Sequence, residues 1–150
     1  MDDIFWMREA LKEAEKAFSA GEVPIGAIVV KDRQIIASSH NGCVAEQNPT
    51  RHAEAIAMHS AFKQTNDLSN CTLYVTVEPC AMCAGTLLLY KIPRLVFGAY
   101  NSVTGCCGSR IDLTDHWFDT SVETTGGILE EECRSILSHF FQTVRPSDII

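Results

Sequence analysis

Basic side chains are scarce in this 150-residue chain: 12 Lys and Arg stand against 19 Asp and Glu, a formal charge of −7. Nucleic acids are gripped chiefly by Lys and Arg on phosphates, so this balance argues at first sight against such a partner. Apolar runs are short as well. None approaches the roughly 18 residues of a membrane-spanning helix, and no membrane partner is expected. The opening stretch MDDIFWMREALKEAEKAF has no basic segment leading into an apolar one. It reads as no secretory signal, and the expectation is a cytoplasmic chain. Internal repeats, low-complexity tracts and linker-like composition are missing too. Residues 1–150 are therefore expected to form one domain, long enough to bury a substantial core.

What is present is an ordinary globular balance, 46% hydrophobic and 21% charged, with an unevenly spread charge. Residues 1–32 carry 4 basic and 7 acidic groups, residues 33–111 carry 6 and 4, and residues 112–150 carry 2 and 8. The acid sits at the two ends and the middle is mildly basic. Seven cysteines is a high, odd count. In a reducing compartment it favours metal binding or catalysis over a disulfide framework. Cys43, Cys71, Cys106, Cys107 and Cys133 are read as small buried hydrophobes.

Periodicity places a helix over 3–19, with Ile4, Met7, Ala10, Leu11, Ala14, Ala17 and Phe18 on its apolar face. Apolar runs at 25–30 and 34–40 around Lys31-Asp32-Arg33 read as a hairpin. A loop follows to about residue 50, then a helix from Pro49 or Thr50 to Phe62, a strand at 72–77 and a helix from Pro79 to about Tyr90. A strand at 94–99, a Gly-rich loop at 100–109, a short strand at VETT and a helix at 129–144 complete the chain. Strands alternating with helices after a hairpin predict an α/β fold with one mixed sheet.

The stretch EPCAMC (78–83) sets two cysteines three positions apart. Pro79 suits the first turn of a helix, which puts Cys80 and Cys83 on one side of that turn, where the positive helix end favours thiolates. A redox dithiol and a metal site fit this geometry equally. The segment TRHAE (50–54) decides between them. A catalytic zinc needs three protein ligands and one open position. His52, Cys80 and Cys83 make three, and Glu54 stands two residues past a ligand, placed to handle protons without binding metal. H-x-E followed by P-C-x-x-C is the signature of zinc nucleobase deaminases. A redox pair has no use for His52 or Glu54. His59 lies about 10 Å along the helix from His52, too far to share the ion. His40, His116 and His139 have no ligand spacing and are read as structural.

The chemistry implied is hydrolytic removal of an exocyclic amine, with zinc acidifying a water and Glu54 moving its proton to the ring nitrogen and then toward ammonia.

GEVPIGAIVV (21–30), NPTRHAEAIAM (48–58), TLYVTVEPCAMCAG (72–85), VFGA (96–99), TGCCGS (104–109) and GILEEEC through FF (127–141) resemble the bacterial-type tRNA adenosine deaminases. The likeness runs from about residue 5 to 145. It implies a cytidine-deaminase-like three-layer α/β/α fold with a five-stranded mixed sheet, one Zn2+ per chain and a homodimer. The implied reaction is adenosine to inosine at the wobble position of a tRNA anticodon stem-loop. It further implies substrate contacts from Asn41, from the main chain of Ala53 and from Phe141. Asn101 stands where bacterial members usually carry Asp, and an amide donates where a carboxylate only accepts. Looser discrimination among RNA, DNA and free nucleosides is expected from it. Arg134 and Arg145 are the only basic residues near the C-terminal helix, so phosphate contacts are expected from Arg51, Lys91, Arg94 and Arg110. Two rivals are a deaminase of a free base or nucleoside, which fits the acidic charge, and a non-catalytic zinc module that binds RNA, which leaves Glu54 unexplained.

Overall fold

A computed structural model describes residues 2–115, 121–145 and 147. His116 lies outside them. The chain runs α1 (Asp3–Ser19), β1 (Gly26–Lys31), β2 (Gln34–His40), α2 (Ala53–Thr65), β3 (Cys71–Val77), α3 (Ala81–Leu89), β4 (Arg94–Ala99), β5 (Glu123–Thr125) and α4 (Glu130–Thr143). The five strands make one sheet in the order β2-β1-β3-β4-β5. β1 is antiparallel to β2 and β3, while β3, β4 and β5 run parallel. This is the expected mixed sheet.

Alternation along the strands splits the core into two layers. Ala27, Val29, Leu73, Val75, Leu95 and Phe97 face α2 and α3 through Ala57, Met58, Ala61, Ala84 and Leu87. Ile28, Val30, Tyr74 and Val96 face the other way, toward Trp6, Met7 and Ala10 of α1 and Cys133 of α4. The three-layer expectation holds. Among the described residues, no helix is long and apolar enough to cross a membrane.

Three local expectations need correction. The buried face of α1 runs through Trp6, Met7, Ala10, Glu13, Ala14 and Ala17, while Ile4 is exposed. Asp2 starts this helix by accepting the Phe5 N–H at 2.9 Å, and the face is rotated to seat Trp6 beside Tyr74. The second helix begins at Ala53 rather than at Pro49 or Thr50, because Asn48 folds back through its side chain to hold Thr50 in a turn. The third begins at Ala81, so Pro79 precedes the helix rather than opening it, and Cys80 is the N-cap. Elsewhere, the hairpin turn tightens to Asp32-Arg33, both at positive φ, because Lys31 pairs with Gln34.

This topology aims both helix starts at one place. β3 and β4 end side by side, with Val77 opposite Ala99. The loop from β2 to α2 and the loop after β4 then flank the turn that leads from β3 into α3.

Candidate functional site

His52 is the N-cap of α2 and Cys80 the N-cap of α3, and neither makes the side-chain capping hydrogen bond of an ordinary N-cap. N-cap side chains usually accept from the first turn. Here both are turned toward each other instead. His52 Nδ1 lies 3.6 Å from Cys80 Sγ and 3.6 Å from Cys83 Sγ. All three ligand atoms fall within 4.8 Å of one another. A tetrahedral zinc with Zn–S near 2.3 Å and Zn–N near 2.0 Å would hold its sulfur and nitrogen ligands roughly 3.5 Å apart. The spacing fits that ion, and the cluster can bind a metal.

Charge in the cluster points the same way. Cys80 is held down to about 3, first by a hydrogen bond from Cys83 and then by His52. Cys83 is pushed far up by that same bond and by burial. His52 is raised by its bond to Cys80. Glu54 follows in the first turn of α2, only 2% exposed, and its Oε1 has no hydrogen-bond partner among the described residues. Burial pushes its carboxyl up to about 6. An unsatisfied buried carboxylate oxygen beside three metal-ligating atoms is costly for stability, which marks a group kept for chemistry.

The remaining expected residues divide. Asn41 is buried, and its Oδ1 accepts the Ala53 N–H at 2.8 Å. It therefore caps α2 in place of His52, and the main-chain N–H of Ala53 is already taken. Asn101 uses its side chain inside its own turn: Oδ1 accepts from Val103 N at 3.2 Å and Thr104 N at 3.0 Å, while Nδ2 donates to Thr104 Oγ1 at 2.8 Å. Phe141 is 51% exposed next to buried Phe140. His40, His59 and His139 meet Asn41 O, Tyr90 Oη and the Phe18 ring. Cys43, Cys71, Cys106, Cys107 and Cys133 are buried.

Of the four expected phosphate contacts, Arg94 is engaged by Asp3 and Glu123, and Arg51 by Glu46, which leaves Lys91 and Arg110. The reading of the sequence missed two buried carboxylates, Glu22 and Glu78, each of which accepts loop N–H groups beside the cluster. GEVP and EPC each set an acidic residue one or two positions before a proline, which marks the residue but names no partner.

A groove of about 610 Å³ lies away from the cluster, along the outer side of α3, lined by Ala81, Met82, Gly85, Thr86, Leu88 and Leu89 among others.

Comparison with known proteins agrees with this geometry. The family model of the MafB19-like deaminases matches residues 1–145. A tRNA-specific adenosine deaminase of Haemophilus influenzae is 48% identical over 143 residues, 93% of this chain and 83% of its own length. The tRNA-specific adenosine deaminase of Bacillus subtilis is 44% identical over 146 residues, 95% of this chain and 91% of its own. A solved structure from work on A-to-I editing by tRNA:A34 deaminases superposes with a TM-score of 0.84 at 34% identity, covering 89% of this chain and 99% of that one. A family match over nearly the whole chain, joined to a His, two Cys and a buried Glu at two helix starts, places this chain in the MafB19-like deaminase family, beside the bacterial tRNA-specific adenosine deaminases.

Proposed function

We propose that the protein deaminates adenosine to inosine at the wobble position of a tRNA anticodon, acting as a single domain over 1–150 in the cytoplasm. The observation that carries this reading is Glu54 Oε1, buried and unpartnered beside the His52–Cys80–Cys83 cluster. The relatives' named activity supports tRNA as the substrate.

His52 and the sulfurs of Cys80 and Cys83 would hold one Zn2+, which when bound would supply Lewis-acid activation of water at neutral pH. Two helix N-termini face the two sulfurs and temper their negative charge. Glu54 takes a proton from the attacking water and gives it to the purine ring nitrogen beside the reacting carbon. It then assists the proton transfer that lets the amine leave as ammonia, so that adenosine and water become inosine and ammonia. A carboxyl raised toward neutrality by burial can both accept and return a proton.

Asn41 and Phe141 contact the substrate, whereas the Ala53 N–H and the Asn101 side chain are engaged within the fold. Asn41 has its amide nitrogen left for this role, since Oδ1 is committed to Ala53. Phe141 offers an exposed ring for stacking a base. Lys91 and Arg110 supply phosphate contacts, few enough to give a shallow dependence on salt. A second copy packs on the α3 groove, where Leu89 is 84% exposed. A carboxylate at Glu54 with no use in a structural site disfavours a purely binding module.

The test is sequencing of an anticodon stem-loop RNA after incubation with enzyme, read as A-to-G conversion at one position, alongside ammonia release from guanine and cytidine. Conversion confined to the wobble adenosine supports the reading. Ammonia from free bases with an unchanged RNA refutes it. Glu54→Ala is expected to keep zinc and lose turnover by at least about 10³-fold.

A further inference from the structure

The loop at 100–109 carries none of the three ligand atoms, yet it is fastened to the ligand turn through one residue. Glu78 is 1% exposed and follows β3 directly. Its own N–H donates to Ala99 O at 2.8 Å, at the end of β4. Its carboxylate reaches past the strand ends and accepts four hydrogen bonds from the loop. Oε1 accepts from Asn101 N at 3.1 Å and from the Ser109 hydroxyl, and Oε2 accepts from Cys107 N at 3.1 Å and Ser109 N at 3.0 Å. One carboxylate thus holds both ends of the loop. Among the described residues no Lys or Arg pairs with it, so its partners are N–H and O–H donors of this loop.

The closing of the loop depends on the same group. A Cβ on Gly105 would stand 2.5 Å from Glu78 Oε2, so the chain passes directly against the carboxylate. Cys106 N donates to Pro79 O at 2.9 Å, which ties the loop's middle to the residue before Cys80. The outer side of the segment exposes Tyr100 and Val103.

We propose that Glu78 is a positioning residue that sets this loop as the substrate-facing wall of the site, at a fixed distance from the metal ligands; this rests on the deaminase function proposed above. Four converging donors require an acceptor-only group, and a carboxylate is one. An amide would face some of those donors with its own N–H2 and release part of the loop. When the binding-competent loop is only fractionally populated, apparent affinity falls by that fraction while the chemical step is untouched.

The experiment compares the zinc-loaded wild type with Glu78→Gln. The variant is expected to keep one zinc per chain and an unchanged thiolate charge-transfer spectrum with Co2+. Amides of 101 and 105–109 should exchange at least about tenfold faster, and KM for an anticodon stem-loop should rise about tenfold or more with kcat within about threefold. Unchanged exchange at these amides, an unchanged KM, or a loss confined to kcat overturns the proposal. Should Glu78→Gln fail to fold, Ser109→Ala removes one of the four donors. It is then expected to raise KM by about two- to fivefold with faster exchange at 107–109, and wild-type behaviour overturns the proposal. The zinc and exchange readouts need no substrate. A wild type inactive on RNA therefore counts against the proposed function, whereas an active wild type matched by Glu78→Gln counts against Glu78.

Discussion

Two loops flank the cluster, each held by a buried glutamate and each containing an asparagine, yet they do different work. In the first, residues 41–52, Glu22 accepts Val44 N and Ala45 N, both at 2.8 Å, and Asn41 caps α2 from outside. This loop ends in His52, so its geometry is part of the cluster that can bind a metal. In the second, residues 100–109, Glu78 does the holding and Asn101 serves only its own turn. No ligand lies there. Damage to the first loop should register in metal affinity, and damage to the second in substrate binding.

The largest effect that would test this division is Asn41→Ala. It leaves the buried Ala53 N–H without its acceptor, next to a ligand. A loss of about 1–3 kcal/mol in a urea melt is expected, with zinc affinity down by about 10- to 100-fold in a competition with a chromophoric chelator. Undiminished zinc affinity would show that the first loop does not set the ligand.

A glycine in each loop gives a sharper contrast. Alanine at Gly105 meets the Asn101 carbonyl and the Glu78 carboxylate, neither of which can move freely. Gly105→Ala should cost about 1–3 kcal/mol, and its refolded product should still bind one zinc. At Gly42 the nearest atom to a new Cβ is 4.0 Å away. Gly42→Ala should be neutral, or raise stability by about 0.4–1 kcal/mol by stiffening the unfolded chain. Equal effects at the two positions in thermal melts would erase the difference in how tightly the loops are closed.

The smallest loss among the hydrogen-bond deletions is expected from Asn101→Ala, which removes hydrogen bonds from an exposed turn. Stability should fall by only about 0.5 kcal/mol, with zinc content unchanged by atomic absorption. A loss of zinc would contradict the separation of roles.

The elements that rest on strong local patterns were legible in the sequence: the hairpin, the buried strands, the long terminal helices and the ligand spacing. Cys80 and Cys83 announce themselves by sequence spacing, and His52 by the Glu54 that follows it. Helix starts were less legible. Proline at 79 fits an N1 position as well as the residue before a cap, and only the pull of the cluster on Cys80 distinguishes them. Glu22 and Glu78 could not be assigned at all, because their donors are backbone N–H groups 22 to 31 residues away, and backbone groups carry no sequence signature. The role of Arg94 was hidden by distance along the chain: Asp3, 91 residues away, claims it.

The last layer of the fold has a consequence for how such a protein can diverge. β5 is three residues long and pairs only with β4, at the sheet edge, and α4 lies over that side of the sheet through Cys133. The three side chains that can bind a metal and the glutamate beside them come from residues 52–83, at the starts of α2 and α3 on the opposite layer. Exposed positions after residue 121 can therefore vary with little effect on the cluster, whereas buried Cys133 and Phe140 tie α4 to the core and are costly to change.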